Sequence, residues 1–208
     1  MKFQPIVLLS ALCALGAGSA LAEAANAEVG SVERGQAKAA PCVACHGVNG
    51  NSTNPVWPSL AGQHAQYVAK QLELFRDGTR TDPLMSPMAT TLSDEDIRDL
   101  AAYYAAQTPA PLEADPARLE LGERLYRGGD KETETAACAA CHGPTGAGNP
   151  AALYPSIKGQ HATYVAAQLR AYKAGTRTTD QNQMMRNVAS ALSDEQIEAV
   201  ASYVQGLR

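Results

Sequence analysis

Cys42-Val43-Ala44-Cys45-His46 returns as Cys138-Ala139-Ala140-Cys141-His142 in the same chain, and the reading of these two pentapeptides decides everything around them. A C-x-x-C pair alone serves disulfides, redox couples and zinc sites alike. A histidine directly after the second cysteine narrows the choice to the attachment pattern of a c-type haem. A zinc ribbon would bring its two pairs close together, whereas 96 residues separate Cys42 from Cys138. The expectation is two covalently bound haem c groups. Each is held by thioethers, from Cys42 and Cys45 or from Cys138 and Cys141, with His46 and His142 placed beneath the irons.

Outward from the motifs, the whole chain divides into two copies of one unit. Gly62-Gln63-His64-Ala65 matches Gly159-Gln160-His161-Ala162, Gly78-Thr79-Arg80-Thr81 matches Gly175-Thr176-Arg177-Thr178, and Leu92-Ser93-Asp94-Glu95 matches Leu192-Ser193-Asp194-Glu195. The offset drifts from 96 to 100 through small insertions in polar stretches. Thr108-Pro109-Ala110-Pro111 ends the first copy and Asp115-Pro116 opens the second, because clustered prolines break helices. The expected domains are therefore 23–111 and 112–208, after a leader at 1–22.

No convincing strand pattern occurs, so the fold class is all-α. Within each copy, helices are expected over Val32 to Ala40 and Arg118 to Tyr126, then His64 to Arg76 and His161 to Lys173. A last helix starts at Ser93 or Ser193, with Asp96 or Gln196 three residues on as in a capping box. Ile97, Leu100 and Tyr104, mirrored by Ile197, Val200 and Val204, fall at helical spacing and predict its core stripe.

The ligand opposite each histidine decides what the haems can do, since a sulfur ligand raises the reduction potential and suits an electron carrier. Anchoring the copies on Leu92 and Leu192 pairs Met85 with Met185, while Met88 and Met184 have no methionine counterpart. Met85 and Met185 are the expected axial ligands, and Met88 and Met184 suit core gap-filling. His64 and His161 also recur, which raises bis-histidine ligation; the polar methionine loops are freer to wrap over a haem than a histidine opening a helix. Pro58 and Pro155 recur as well. They are either ordinary turn prolines or carbonyl acceptors for the second ring N–H of the haem histidines.

Composition agrees with this picture. Of 208 residues, 45% are hydrophobic but only 5% aromatic, with one Trp and two Phe. Small domains so short of large side chains need apolar bulk from elsewhere, and two buried porphyrins would supply it. Met1-Lys2 followed by an apolar run ending at Ala20-Leu21-Ala22 reads as a secretory signal cleaved after Ala22, rather than an uncleaved anchor. Cys13 lies inside that run after Leu12, which argues against a lipoprotein site. The formal charge of −4 disfavours nucleic acid and anionic lipid as partners.

Two C-x-x-C-H units, the Pro58-Ser59-Leu60-Ala61-Gly62-Gln63-His64 and Pro155-Ser156-Ile157-Lys158-Gly159-Gln160-His161 segments, the Gly-Thr-Arg-Thr turns and a methionine segment before Leu-Ser-Asp-Glu together resemble the cytochrome c4 family. The resemblance spans essentially the whole chain after the leader. It implies two class I cytochrome c domains packed about a pseudo-twofold axis, with haems near the interface and propionates close together. It also implies His46 with Met85 and His142 with Met185 as axial pairs, and Pro58 and Pro155 as carbonyl acceptors. By the same resemblance the protein is a periplasmic electron carrier rather than an enzyme, with peripheral membrane association possible; the sequence itself predicts a soluble protein, expected to be a monomer. It takes electrons from a quinol-oxidising complex or dehydrogenase and passes them to a terminal oxidase, possibly of cbb3 type, or another respiratory acceptor. Two rival expectations are an electron-accepting subunit of a periplasmic dehydrogenase and a dihaem peroxidase-like enzyme; the latter predicts one copy without its methionine.

Overall fold

The computed structural model describes residues 30–208; the leader read over Met1 to Ala22 lies outside them. The described chain is helical, in two units with the same order of elements. The first unit comprises α1 (Val32–Lys38), α2 (Val43–His46), α3 (Ala65–Arg76), α4 (Met85–Thr90) and α5 (Asp94–Ala105). The second comprises α6 (Leu119–Gly128), α7 (Ala139–His142), α8 (Ala162–Lys173), α9 (Met184–Ser190) and α10 (Asp194–Gly206). Among the described residues the only β pairings are two isolated bridges, Asp130 with Thr135 and Asn149 with Tyr154.

Local chemistry accounts for the element ends. α5 and α10 both open on a complete capping box, Ser93 with Asp96 and Ser193 with Gln196. The apolar stripes predicted for them are buried throughout: Ile97, Leu100 and Tyr104 in one unit, Ile197, Val200 and Val204 in the other. These last helices form the floor of each unit. α1 and α3 pack on α5, as α6 and α8 pack on α10. α1 stops at Lys38, two residues short of the expectation, and a 3-10 turn containing Pro41 carries the chain into the first motif. α3 and α8 begin one residue late, because His64 and His161 are their N-caps, with extended rather than helical backbone angles.

The methionine segments, read as loops, are short helices. In α4, Pro87 stands in the first turn, where no intrahelical hydrogen bond is lost to it. Asp82 Oδ1 accepts the otherwise orphaned N–H groups of Leu84 and Met85, each at 2.9 Å. In α9 the same service comes from Asp180, which accepts from the Arg186 N–H at 3.0 Å and pairs with its guanidinium at 2.8 Å. The second copy's insertion is absorbed just before α9, by Asn182 and Gln183 at φ 49° and 60°.

Reciprocal bonds join the two units. Gln63 donates to the Ser156 carbonyl at 2.7 Å and accepts from the Ser156 N–H at 3.0 Å. Gln160 does the same to Ser59, at 2.8 Å and 2.9 Å. The connecting stretch 107–115 changes allegiance along its length. Thr108 and Ala110 bond Asn51 of the first unit, whereas Glu113 and Asp115 bond Gln205 and Ser202 of the second.

Candidate functional site

The two C-x-x-C-H segments take the same shape. In each, one helical turn runs through the second cysteine and the histidine, then ends at a glycine with positive φ, Gly47 (78°) or Gly143 (75°). One helical turn between the cysteines places both on one side of the segment. The described cysteines form no disulfide. Burial pushes the Cys42 thiol up and pushes Cys138 up to about 11, which favours the neutral thiol over the free thiolate. Among the described residues there is also no cluster of His, Cys, Asp and Glu able to hold a metal ion.

His46 and His142 are 5% and 8% exposed. The His46 Nδ1 lies 2.8 Å from the Pro58 carbonyl oxygen, and the His142 Nδ1 lies 3.0 Å from that of Pro155. A carbonyl can only accept, so each Nδ1 carries the hydrogen and each Nε2 keeps its lone pair. Burial holds both imidazoles below their ordinary pKa, against the opposing pull of the prolyl carbonyl, which keeps them neutral. A neutral imidazole with an orienting acceptor on Nδ1 is the arrangement of a metal-ligating histidine. The choice that sequence left open for Pro58 and Pro155 is thus met by geometry in both units.

Met85 is partly buried at the start of α4. Met185 is partly buried against the core of the second unit, one residue into α9. Met88 is 44% exposed and so does not fill a core gap, because its turn of α4 faces outward. Met184 accepts a hydrogen bond from the Tyr154 hydroxyl, with oxygen and sulfur 3.7 Å apart.

His64 and His161 have a use that sequence did not reveal. The His64 Nε2 donates across the interface to the Ala147 carbonyl at 2.7 Å, and the His161 Nε2 donates to the Ser52 carbonyl at 2.8 Å. The Nε2 of each is therefore engaged by the opposite unit, which ties both histidines to the interface. Only the shared offset of these histidines in the repeat hinted at a common role.

These residues fit a c-type haem. Each unit offers a pair of thiols, a neutral imidazole with its Nε2 lone pair available, and a partly buried methionine. The buried Tyr104 hydroxyl lies beside the Cys42 thiol, at the first attachment motif.

Comparison with known proteins agrees. A profile of the cytochrome c family matches residues 32–106 and 120–208, one segment per unit. Cytochrome c4 of Thiocapsa roseopersicina is 48% identical over 187 residues, covering 89% of this chain and 97% of the relative. The thiosulfate dehydrogenase electron acceptor of Stutzerimonas stutzeri is 42% identical over 167 residues, covering 78% of this chain and 76% of the relative. The crystal structure of reduced cytochrome c4 from Pseudomonas stutzeri superposes with a TM-score of 0.84 at 44% identity, covering 86% of this chain and all of that one. With two helical units, two haem-attachment motifs and likeness along nearly its whole described length, the chain belongs to the cytochrome c4 family of dihaem electron-transfer proteins and carries two covalently bound haem c groups.

Proposed function

We propose that the chain is an exported, periplasmic shuttle for single electrons, with one haem held by Cys42, Cys45, His46 and Met85 and the other by Cys138, Cys141, His142 and Met185. The domains divide near residue 111, where the connecting stretch passes from the first unit's bonds to the second's. The observation carrying this reading is the duplicated Nδ1–carbonyl contact, which leaves a neutral Nε2 lone pair in each unit. When bound, each haem supplies a one-electron iron couple.

The protein's part is to fix the donors and to change little between redox states. Pro58 and Pro155 hold the imidazole planes, α4 and α9 carry the methionines on capped helices, and Gln63 and Gln160 brace the serines next to those prolines. Rigid donors limit the reorganisation that accompanies electron transfer. Met85 and Met185 would supply a second protein ligand to each haem, leaving no position for a substrate, which supports a carrier rather than an enzyme.

Electrons pass onward to a terminal oxidase or another respiratory acceptor. The likeness to the thiosulfate dehydrogenase electron acceptor favours a second reading, in which a periplasmic dehydrogenase is the donor; both readings share the same ligands. No helix among the described residues is long and apolar enough to cross a membrane.

Replacement of the methionines tests the ligand assignment. Met85→His and Met185→His should each lower one reduction potential and remove the near-infrared sulfur-to-iron band of that site. An unchanged band in both variants would reject Met85 and Met185.

A further inference from the structure

Among the described residues, two arginines at the interface form no ion pair. Arg80 and Arg177 occupy equivalent places in the two Gly-Thr-Arg-Thr turns, and each guanidinium lies over an aromatic ring of its own unit, Phe75 at 4.5 Å or Tyr172 at 4.7 Å. Both reach across the interface to the same two acceptors. Arg80 donates to Gln71 Oε1 at 2.6 Å and to Gln168 Oε1 at 3.1 Å. Arg177 donates to Gln168 Oε1 at 2.7 Å and to Gln71 Oε1 at 3.1 Å, and also to the Tyr67 hydroxyl at 3.0 Å.

Two like charges are thereby drawn together around neutral oxygens. The acids nearest in sequence are engaged elsewhere: Asp82 caps α4 and Asp180 pairs with Arg186. Arg177 is only 7% exposed, yet its Nε has no hydrogen-bond partner, and neither does the buried Thr179 hydroxyl. Both residues line a cavity of about 250 Å³, together with Arg80, Thr79, Thr81 and Thr178 and with Asp82, whose Oδ1 is held by the N–H groups that it caps. A buried cation without an anion is costly, and a guanidinium fork suits a planar carboxylate or a phosphate.

We propose that Arg80 and Arg177 form an anion site shared by the two units, taking a carboxylate or similar oxyanion. The anion is either a carboxylate side chain of a bound haem or a soluble oxyanion such as inorganic phosphate. The proposal does not depend on which residues ligate the irons.

The test uses the haem-loaded protein, with Arg80→Gln, Arg177→Gln and the charge-keeping Arg177→Lys. Redox titrations are run with and without phosphate, alongside calorimetric titration of phosphate. If a haem carboxylate fills the site, both glutamine variants lower the reduction potentials whether or not phosphate is present, since a cation that disfavoured the oxidised state is gone. Arg177→Lys then restores most of the shift, and phosphate does not bind. If a soluble oxyanion fills it, wild type binds phosphate, Arg177→Gln binds it about tenfold more weakly or not at all, and potentials respond only when phosphate is present. Unshifted potentials in Arg80→Gln and Arg177→Gln, with no phosphate binding by wild type, would overturn the proposal and leave the arginines as interface contacts alone. Arg80, the less buried of the two, keeps the test open if Arg177→Gln does not fold.

Discussion

Asp96 performs two tasks with one carboxylate. One oxygen accepts from the Ser93 N–H at 3.1 Å to complete the cap of α5, and the other pairs with Lys38 at 2.7 Å, tying α1 to α5. The hydrogen bond from Lys38, followed by those from Ser93, brings its pKa from 3.8 down to about 2. The unfolded chain therefore binds this proton at a higher pH than the folded one. Stability from Asp96 is present above about pH 4 and is lost as the pH falls toward 2. Thermal unfolding of Asp96→Asn should show a deficit of about 0.5–1 kcal/mol at neutral pH that closes over that acid range. A deficit independent of pH would mean that the amide disturbs packing instead. The same scale shows what single residues disclose in advance. His46 and His142 were legible from their motif. The partners of Pro58 and Pro155 were not, because a backbone carbonyl leaves no mark on residue type.

Among elements, the crossing of first and last helices sets the frame for each motif. It depends on one glycine per unit. A Cβ built on Gly35 would lie 2.0 Å from the Asp99 carbonyl oxygen, and one on Gly122 would lie 2.3 Å from that of Ala199. α1 and α5, like α6 and α10, thus touch backbone to backbone. The obstacle is main chain, which cannot swing aside as a side chain would. Gly35→Ala and Gly122→Ala should each cost about 1–3 kcal/mol, seen as a lower melting temperature of the haem-loaded protein. Wild-type stability in both would show that the helices can part without loss. Sequence reading located these helices from their periodicity and caps but gave no reason to single out Gly35 or Gly122, since close approach depends on a partner helix 60 to 80 residues away. It also read α4 and α9 as loops. Their apolar pattern is too short to register, and the aspartates that cap them lie outside the helices they start.

At the scale of the molecule, the internal repeat made the two-unit plan legible, but not how the units meet. Gln63, His64, Gln160 and His161 were visible only as matching letters. Each makes its decisive bond to a backbone atom of the opposite unit, 83 to 109 residues away in sequence. Arg80 and Arg177 stood out no more than their neighbours until both converged on Gln71 and Gln168. Because the interface grips the serines that follow Pro58 and Pro155, the two haem sites are braced through one another. The shared arginine cluster adds a second connection between the units.

A duplicated, covalently loaded electron carrier stands or falls on how many electrons it takes up and on what. Potentiometric titration of the visible spectrum, on purified protein of known concentration, measures both. Two one-electron waves, amounting together to two haems c per chain and retaining low-spin spectra throughout, are the predicted result. A single one-electron wave, or one haem per chain, would contradict the account.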